Sequence, residues 1–174
     1  MRIIAGKWRG HTIHAPPGRD TRPTTDRVRE AWMSAMHPYL PGARVLDLFA
    51  GSGALGLESL SRGAANVTFV EMARGALDAL RRNIDHLGAT DVEVVRGDAM
   101  RYVARLAEGA FDIAVADPPY GAGFAESLSR LFLDRPFADM LWIEHRRNDP
   151  VAESERARTR TYGDTYLTQY TASA

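Results

Sequence analysis

The sequence predicts an α/β fold, in which a parallel sheet is covered on both faces by helices. From Gly42 onward, short apolar runs that fit buried strands alternate with stretches of helical periodicity. The first of these runs leads directly into a glycine-rich turn, an arrangement that α/β proteins use to hold nucleotide-type ligands. The length of 174 residues and the apolar fraction of 45% fit a globular chain with one core of ordinary size.

A hairpin is predicted at the start of the chain, as the first part of a small extension at residues 1–40. Arg2–Ala5 and Thr12–Ala15 are expected to form two short strands around a glycine-flanked turn, and Pro16-Pro17-Gly18 ends the pair. Trp8 lies in the turn and is open to two interpretations, exposure for base stacking or burial under the hairpin.

A helix follows as the second part of the extension. Thr25 is the predicted N-cap, and apolar residues then recur at helical spacing within Val28–Met36. Pro38 and Pro41-Gly42 stop this helix and mark the predicted boundary with the main domain, residues 41–174.

The main domain is predicted to contain five strands alternating with four helices, followed by a hairpin. The strands are assigned to apolar runs, and they are Arg44–Phe49, Val67–Val70, Val92–Val95, Phe111–Ala116 and Met140–Ile143. The helices are assigned by apolar spacing, and they are the stretch through Leu60, the stripe from Leu77 to Leu87 ended by Gly88, Met100–Leu106, and Phe124–Leu133. The hairpin is formed by Ala157–Tyr162 and Tyr166–Tyr170, with Gly163-Asp164 as its turn.

Acidic residues follow successive predicted strands, namely Asp47, Glu71, Asp98 and Asp117. Open α/β sheets bind ligands beyond the carboxyl ends of their strands, at the switch point of strand order. This convergence indicates a site for a nucleoside-bearing cofactor at that edge of the sheet. The predicted cofactor-binding residues are Asp47, Phe49, Ala50, Gly51, Ser52, Gly53, Glu71, Asp98 and Ala99.

The glycine turn by itself is compatible with two cofactors. Gly51–Gly56 satisfies the G-x-G-x-x-G pattern and Glu71 follows Gly51 by 20 residues, which also fits a nicotinamide dinucleotide site. S-adenosylmethionine is favoured because Asp47 can compensate the ammonium of a methionine group but would repel a pyrophosphate. Asp98 can accept a hydrogen bond from an adenine amino group, and no second nucleotide unit fits in the remaining length.

The motif Asp117-Pro118-Pro119-Tyr120 after the fourth strand predicts the site of methyl transfer. An exocyclic base amine is a poor nucleophile, because its lone pair is delocalised into the ring. The Asp117 carboxylate and the Pro118 carbonyl can accept its two hydrogens, while Tyr120 stacks on the flipped base. The predicted catalytic residues are therefore Asp117, Pro118 and Tyr120. Glu144-His145, at the end of the fifth strand, could line the same pocket without a catalytic role.

Positive charge is concentrated in the extension, although the net charge of the whole chain is zero. Phosphate contacts dominate the affinity of proteins for nucleic acids, so a local basic segment is suited to RNA. The predicted RNA-binding residues are Lys7, Arg9, Arg22, Arg27 and Arg29.

The composition also excludes several classes of protein. The chain contains no cysteine, which rules out disulfides and thiolate metal sites, and its five histidines show no metal-ligand spacing, so no metal is expected. No apolar run approaches membrane-spanning length, and Met1–Gly10 lacks the apolar core of a signal peptide. We therefore expect a cytoplasmic protein with no membrane partner.

Five stretches carry a resemblance to a known family: Arg2–Gly10, Thr21–Glu30, Val45–Glu58, Asp117–Tyr120 and Tyr162–Thr165. They resemble the bacterial RsmD-type methyltransferases, which modify the N2 amine of one guanine in 16S ribosomal RNA of the small subunit. The resemblance covers nearly the whole chain, and the arginine-rich N-terminal motif is its most specific part. Two stretches depart from the pattern, Ala31-Trp32-Met33 in place of a Leu-Phe pair and a shortened Leu131–Leu141.

The resemblance implies a class I S-adenosylmethionine-dependent methyltransferase fold. This is a Rossmann-like mixed sheet of seven strands with helices on both faces, here with a small N-terminal hairpin-and-helix extension. The implied partner is 16S ribosomal RNA within the small ribosomal subunit or its late assembly intermediate. We expect the protein to act as a monomer and to release S-adenosylhomocysteine.

The resemblance also implies roles for the acidic residues. Asp47 and the glycine turn would surround the methionine end of the cofactor, Glu71 would hold the ribose, and Asp98 the adenine. Asp117 with Pro118 would hold the guanine amine.

Two other functions stay open at this stage. Asp-Pro-Pro-Tyr also occurs in adenine-N6 DNA methyltransferases, although these commonly need a separate target-reading region. A non-catalytic RNA-binding or ribosome assembly factor could keep the same fold, although the intact set of acidic residues argues against it. Identification of the methylated nucleoside would separate these possibilities.

Overall fold

A computed structural model of the chain describes residues 1–16 and 23–173. The elements of the extension are α1 (Pro23–Met36) and a short 3-10 helix (His37–Tyr39). The strands of the main domain are β1 (Arg44–Leu48), β2 (Asn66–Glu71), β3 (Val92–Arg96), β4 (Phe111–Ala116), β5 (Ala138–Arg146), β6 (Ala157–Tyr162) and β7 (Thr165–Thr171). Its helices are α2 (Ala54–Ser61), α3 (Arg74–Leu87), α4 (Ala99–Val103) and α5 (Phe124–Asp134).

The strands form one mixed sheet of seven strands in the order β3-β2-β1-β4-β5-β7-β6. β1 to β5 are parallel, and β7 lies between β5 and β6, antiparallel to both. This insertion distinguishes the sheet from the dinucleotide-binding order 3-2-1-4-5-6. The strand order reverses between β1 and β4, so the predicted ligand site lies at the switch point beyond these two strands.

Successive residues of the buried strands face opposite sides of the sheet and build two hydrophobic cores. Val45 of β1 packs in one core with apolar residues of α1, α2 and α3. Leu46, the next residue, packs in the other core with residues of α4 and α5. Helices therefore cover both faces, as predicted, and the near-continuous apolar character of the strands follows from burial on both sides.

The extension packs onto the main domain through the first of these cores. Ile3, Trp8 and Met33 are buried in it together with Leu57 of α2. The backbone N–H groups of Ile4 and Ala5 donate to the Glu58 carboxylate of α2. Trp8 is thus buried rather than exposed for base stacking.

The predicted N-terminal hairpin is reduced to a single antiparallel bridge between Arg2 and Thr12. The prediction of two full strands there was therefore wrong. The reason is that the N–H groups of Ile4 and Ala5 bond to a side chain of α2, not to a second strand. The following helix, α1, begins at Pro23, ahead of the predicted N-cap Thr25. Proline suits the first turn of a helix, where its missing N–H group would have no partner.

Among the boundaries in the main domain that differ from the prediction, two C-terminal ends differ by three residues. β5 continues to Arg146 instead of ending at Ile143, because β7 pairs with it through Arg146↔Thr165. α4 ends at Val103, since Arg105 and Leu106 donate to carbonyls three residues back in tight turns. Within the described residues, none of the helices has the length and apolar character needed to cross a membrane.

Candidate cofactor and substrate site

Two adjoining cavities open at the carboxyl ends of β1, β2, β4 and β5. The first, of about 120 Å³, is lined by Asp47 and Glu144 and is called the Asp47 cavity below. The second, of about 460 Å³, is lined by Glu71 and Asp98 and is called the Asp98 cavity. Asp117 lines both cavities. The acidic residues predicted to converge are therefore brought together at this edge of the sheet.

The glycine turn shapes the wall between β1 and α2. Gly53 caps the start of α2 with φ of 83°, and a Cβ there would lie 2.4 Å from a Leu80 methyl carbon. A Cβ on Gly56 would lie 2.3 Å from the Phe69 ring and 2.9 Å from Asp47 Oδ2. These two glycines thus let α2 begin directly against the strands.

Phe49, at the end of β1, has φ of 56°, the only positive φ among the described non-glycine residues. A bulky residue in this conformation is strained and needs support from its surroundings. Its ring centroid lies 5.3 Å from that of Phe124, and both residues line the Asp98 cavity. Phe49 also lines the Asp47 cavity. The strain therefore falls at the junction of the two cavities.

Asp47 is 1% exposed and accepts a hydrogen bond from the Gly56 N–H at 2.9 Å. Burial raises the pKa of Asp47 well above its usual range, and the Gly56 N–H opposes this shift. The nearby charges of Asp117 and Glu71 raise the pKa further. A cationic group bound in the cavity would therefore be favoured by these carboxylates, whereas a pyrophosphate would be repelled.

Glu71 holds the glycine turn through its carboxylate. Oε2 accepts the Gly51 N–H at 2.8 Å, and Oε1 accepts the N–H groups of Met72 and Ala73 at 2.9 and 2.8 Å. The residue thus links the end of β2 to the turn after β1. The sequence had predicted a ligand contact for Glu71 but did not indicate this second role in organising the loop.

The Asp98 cavity is also lined by residues from the starts of α4 and α5. Asp98 caps α4, because its Oδ1 accepts the Arg101 N–H at 2.9 Å, and Ala99 is the first residue of that helix. Phe124, from α5, forms part of the wall and was not predicted. The cavity is large enough for a nucleoside, and apolar residues line it together with Glu71, Asp98 and Asp117.

The Asp117–Tyr120 segment leaves β4 at the point where the two cavities meet. Asp117 lines both cavities and Pro118 is buried beside it, while Pro119 lines the Asp98 cavity. Tyr120 lines neither cavity, and 44% of its surface is exposed.

Tyr120 is held by the end of β5. Its hydroxyl donates to Glu144 Oε1 at 2.8 Å, and the Arg146 guanidinium lies 4.8 Å from its ring centroid. Burial raises the pKa of Tyr120 to about 12, and the Glu144 charge contributes to this shift. Tyr120 therefore has a neutral side chain that is held by Glu144 and Arg146, next to the residues that line the cavities. The sequence analysis suggested that Glu144 and His145 could line the pocket. Glu144 lines the Asp47 cavity, whereas His145 lines neither cavity.

The predicted basic residues fall into three groups. Lys7, Arg9 and Arg27 are exposed, and Lys7 Nζ lies 4.2 Å from the centroid of the Trp8 ring. Arg22 lies outside the described residues. Arg29 is only 6% exposed, which does not fit an exposed phosphate contact.

Arg29 and Trp32, both on α1, line the Asp47 cavity and were not predicted there. Counting charges along the extension cannot separate an exposed arginine from a buried one. The helical spacing of Trp32 indicated burial but did not show that the buried face of α1 closes a cavity. Within the described residues, there is no group of three or more His, Cys, Asp or Glu residues arranged to hold a metal ion.

Comparison with known proteins places this architecture among methyltransferases. The family model described as conserved hypothetical protein 95 matches residues 1–171. The chain is 42% identical over 134 residues to ribosomal RNA small subunit methyltransferase D of Escherichia coli, covering 77% of this chain and 67% of the relative. It is 33% identical to the protein of the same name in Haemophilus influenzae over 162 residues, covering 89% of this chain and 83% of the relative.

Solved structures agree with this grouping. The E. coli structure described as "Putative methyltransferase yhhF" superposes with a TM-score of 0.84 at 36% identity, covering 98% of this chain and 97% of that one. A structure of a hypothetical protein from Thermus thermophilus superposes with a TM-score of 0.80 at 27% identity, covering 98% of this chain and 99% of that one. Together with the sheet order, these neighbours confirm the predicted class I methyltransferase fold.

Proposed function

The chain belongs to the family described as conserved hypothetical protein 95, an RsmD-type methyltransferase family, and we propose that it methylates the N2 amine of a guanine in 16S ribosomal RNA. The proposed methyl donor is S-adenosylmethionine, and the proposed substrate is the RNA within the small ribosomal subunit or its late assembly intermediate. The observation that carries the proposal is that Asp117 lines both cavities. A group held by Asp117 is therefore adjacent to whatever occupies the cofactor site.

The residues around the two cavities fit the proposed cofactor. The Asp98 cavity has the volume and the apolar walls for a nucleoside, with Glu71 near the ribose and Asp98 near the adenine amine. The Asp47 cavity is smaller and acidic, and suits the positively charged amino-acid end. When bound, S-adenosylmethionine supplies a methyl group that is already activated as a sulfonium.

The protein's own contribution is to orient the nucleophile. Asp117 and the Pro118 carbonyl accept the two N–H hydrogens of the base amine, which turns its lone pair towards the donor. The fixed ring geometry of Pro118-Pro119 keeps this carbonyl in place. Tyr120, held by Glu144 and Arg146, provides a rigid surface on which the flipped base stacks. Positioning of this kind supplies most of the rate when one reactant is already activated, and Asp117 or water then takes the released proton.

The function is tested by incubating the protein with labelled S-adenosylmethionine and three substrates: small ribosomal subunits, naked 16S RNA and duplex DNA. Nucleoside mass spectrometry should detect N2-methylguanosine, with more product from the particle than from naked RNA. N6-methyladenine without N2-methylguanine would favour the adenine-N6 alternative. Cofactor binding without any methylated nucleoside would favour a non-catalytic RNA-binding factor.

Replacing Glu71 by alanine is expected to weaken cofactor binding by about 1.5–3 kcal/mol, the scale of a charge-assisted hydrogen bond. The loss has two sources, the proposed ribose contact and the bonds from Glu71 to the Gly51 turn. Isothermal titration calorimetry with S-adenosylhomocysteine measures it. Asp78→Ala, which removes an exposed acid of α3 that lines neither cavity, is the control and should bind normally. An unchanged affinity in Glu71→Ala would rule out the ribose assignment.

The exposed basic residues of the extension are proposed to contact RNA phosphates. Changing Lys7, Arg9 and Arg27 together to glutamine should weaken RNA binding and reduce the slope of log K against log salt by about 0.7 for each phosphate that is no longer neutralised. A control triple variant at three exposed arginines outside the extension, Arg105, Arg130 and Arg158, should keep the wild-type slope. Equal slopes for both triple variants would show that the extension does not bind the RNA.

A further inference from the structure

Two buried donors on α1 have no hydrogen-bond partner among the described residues. They are the Nε–H of Arg29 and the indole Nε1–H of Trp32, and the two residues are 6% and 1% exposed. A buried donor without a partner costs about 1–3 kcal/mol, so such groups are rare unless a ligand completes them. Both residues line the Asp47 cavity.

The rest of the Arg29 side chain is already held. Its Nη2 donates to the Arg2 carbonyl at 2.8 Å and lies 3.6 Å from Asp26 Oδ1, and its Nη1 contacts the Met1 sulfur at 3.3 Å. These contacts hold both terminal nitrogens of the guanidinium, whereas Nε has no partner. The arginine is thus fixed before any ligand binds, which lowers the entropy lost on binding.

The cavity therefore combines donors and acids within about 120 Å³. Arg29 and Trp32 line the cavity and each carries an N–H group without a partner, which is suited to an anion. Asp47 and Glu144, which also line it, carry carboxylates suited to a cation. A ligand with an ammonium and a carboxylate on the same carbon satisfies both sets. The volume also fits such a group, whereas the nucleoside requires the adjoining Asp98 cavity.

We propose that Arg29 and Trp32 bind the α-carboxylate at the methionine end of S-adenosylmethionine, so that the N-terminal extension completes the cofactor site. This inference rests on the proposed function for the identity of the cofactor. It assigns Arg29 to the cofactor and not to RNA, and it gives α1 a binding role beyond its packing against the sheet.

The test compares two ligands, S-adenosylhomocysteine and its decarboxylated analogue, which keeps the amine but lacks the carboxylate. Calorimetry measures the affinity of wild type, Trp32→Phe and Arg29→Gln for each. Trp32→Phe removes the N–H group and keeps most of the ring, so the fold should be preserved. Each substitution should weaken S-adenosylhomocysteine about 10- to 100-fold and leave the analogue nearly unchanged.

Trp142→Phe is the matched control. The Nε1 of Trp142 also has no partner and the residue is 1% exposed, but Trp142 lines neither cavity. This variant should bind both ligands as wild type does.

The outcomes separate the inference from the function on which it rests. If Trp32→Phe and Arg29→Gln weaken both ligands by the same factor, their role is structural and the inference is wrong. If neither variant changes either affinity, the inference is also wrong. If the wild type fails to bind S-adenosylhomocysteine, the proposed cofactor is wrong, and the inference that depends on it is wrong as well.

Discussion

Asp117→Ala is expected to lower the rate of methyl transfer by at least about 100-fold, the lower range for loss of a positioned proton acceptor. The carboxylate is proposed to hold one N–H hydrogen of the target amine, and alanine has no acceptor to replace it. Because many other residues line the two cavities in which the cofactor is proposed to bind, its affinity should remain nearly unchanged. The effect should therefore appear in the rate at saturating cofactor.

The measurement is a single-turnover assay on small ribosomal subunits, combined with calorimetry of S-adenosylhomocysteine binding. The control is Asp112→Ala. Asp112 lies at the opposite end of β4, where it pairs with Arg44 and lines neither cavity, so this variant should retain the wild-type rate. Wild-type activity in Asp117→Ala would remove this residue from its assigned role. A large loss of cofactor affinity would instead assign Asp117 to the cofactor site.

Glu58→Ala is expected to lower the free energy of unfolding by about 3–5 kcal/mol, the range for breaking a buried ion pair by removing one partner. Glu58 is fully buried and accepts from three donors, the N–H groups of Ile4 and Ala5 and the Nε–H of Arg62. Alanine would leave all three without an acceptor and Arg62 as a buried charge. The extension should then dock less firmly on α2.

Urea denaturation of wild type and variant measures this loss. Glu126→Ala is the matched control, because Glu126 forms the same i,i+4 pair with Arg130 on an exposed helix face. That pair should contribute only about 0.3–0.5 kcal/mol. Equal losses for the two variants would mean that the buried carboxylate does not anchor the extension.

The RsmD-type resemblance is confirmed by the family match over residues 1–171 and by relatives 42% and 33% identical. It was recognisable because the chemistry resides in short contiguous segments, the glycine turn after β1 and Asp117–Tyr120 after β4. The terminal hairpin of β6 and β7 was also predictable, since Gly163-Asp164 marks its turn locally. The position of this hairpin in the sheet was not predictable, because pairing of β7 with β5 depends on interactions between distant segments.

Charge and burial were harder to predict than motifs. Arg29 and Arg27 are two residues apart in the same basic segment, and the sequence assigned them one role. In the structure Arg27 is exposed, whereas Arg29 is buried against Arg2 and Met1 and lines the Asp47 cavity. The difference depends on which side of α1 meets the sheet, and that is a property of the packed molecule.

The class of fold, the family and the acidic residues at the strand ends were predictable from the sequence, because periodicity and turn chemistry are local. Three features became visible in the packed molecule: α1 lines the Asp47 cavity, Glu144 and Arg146 hold Tyr120, and Glu58 anchors the extension. The hydrogen bond from Tyr120 to Glu144 joins residues 24 apart in the chain, and the one from Ile4 to Glu58 joins residues 54 apart. Such contacts depend on how the helices and the extension pack on the two faces of the sheet, and local sequence patterns do not predict that packing.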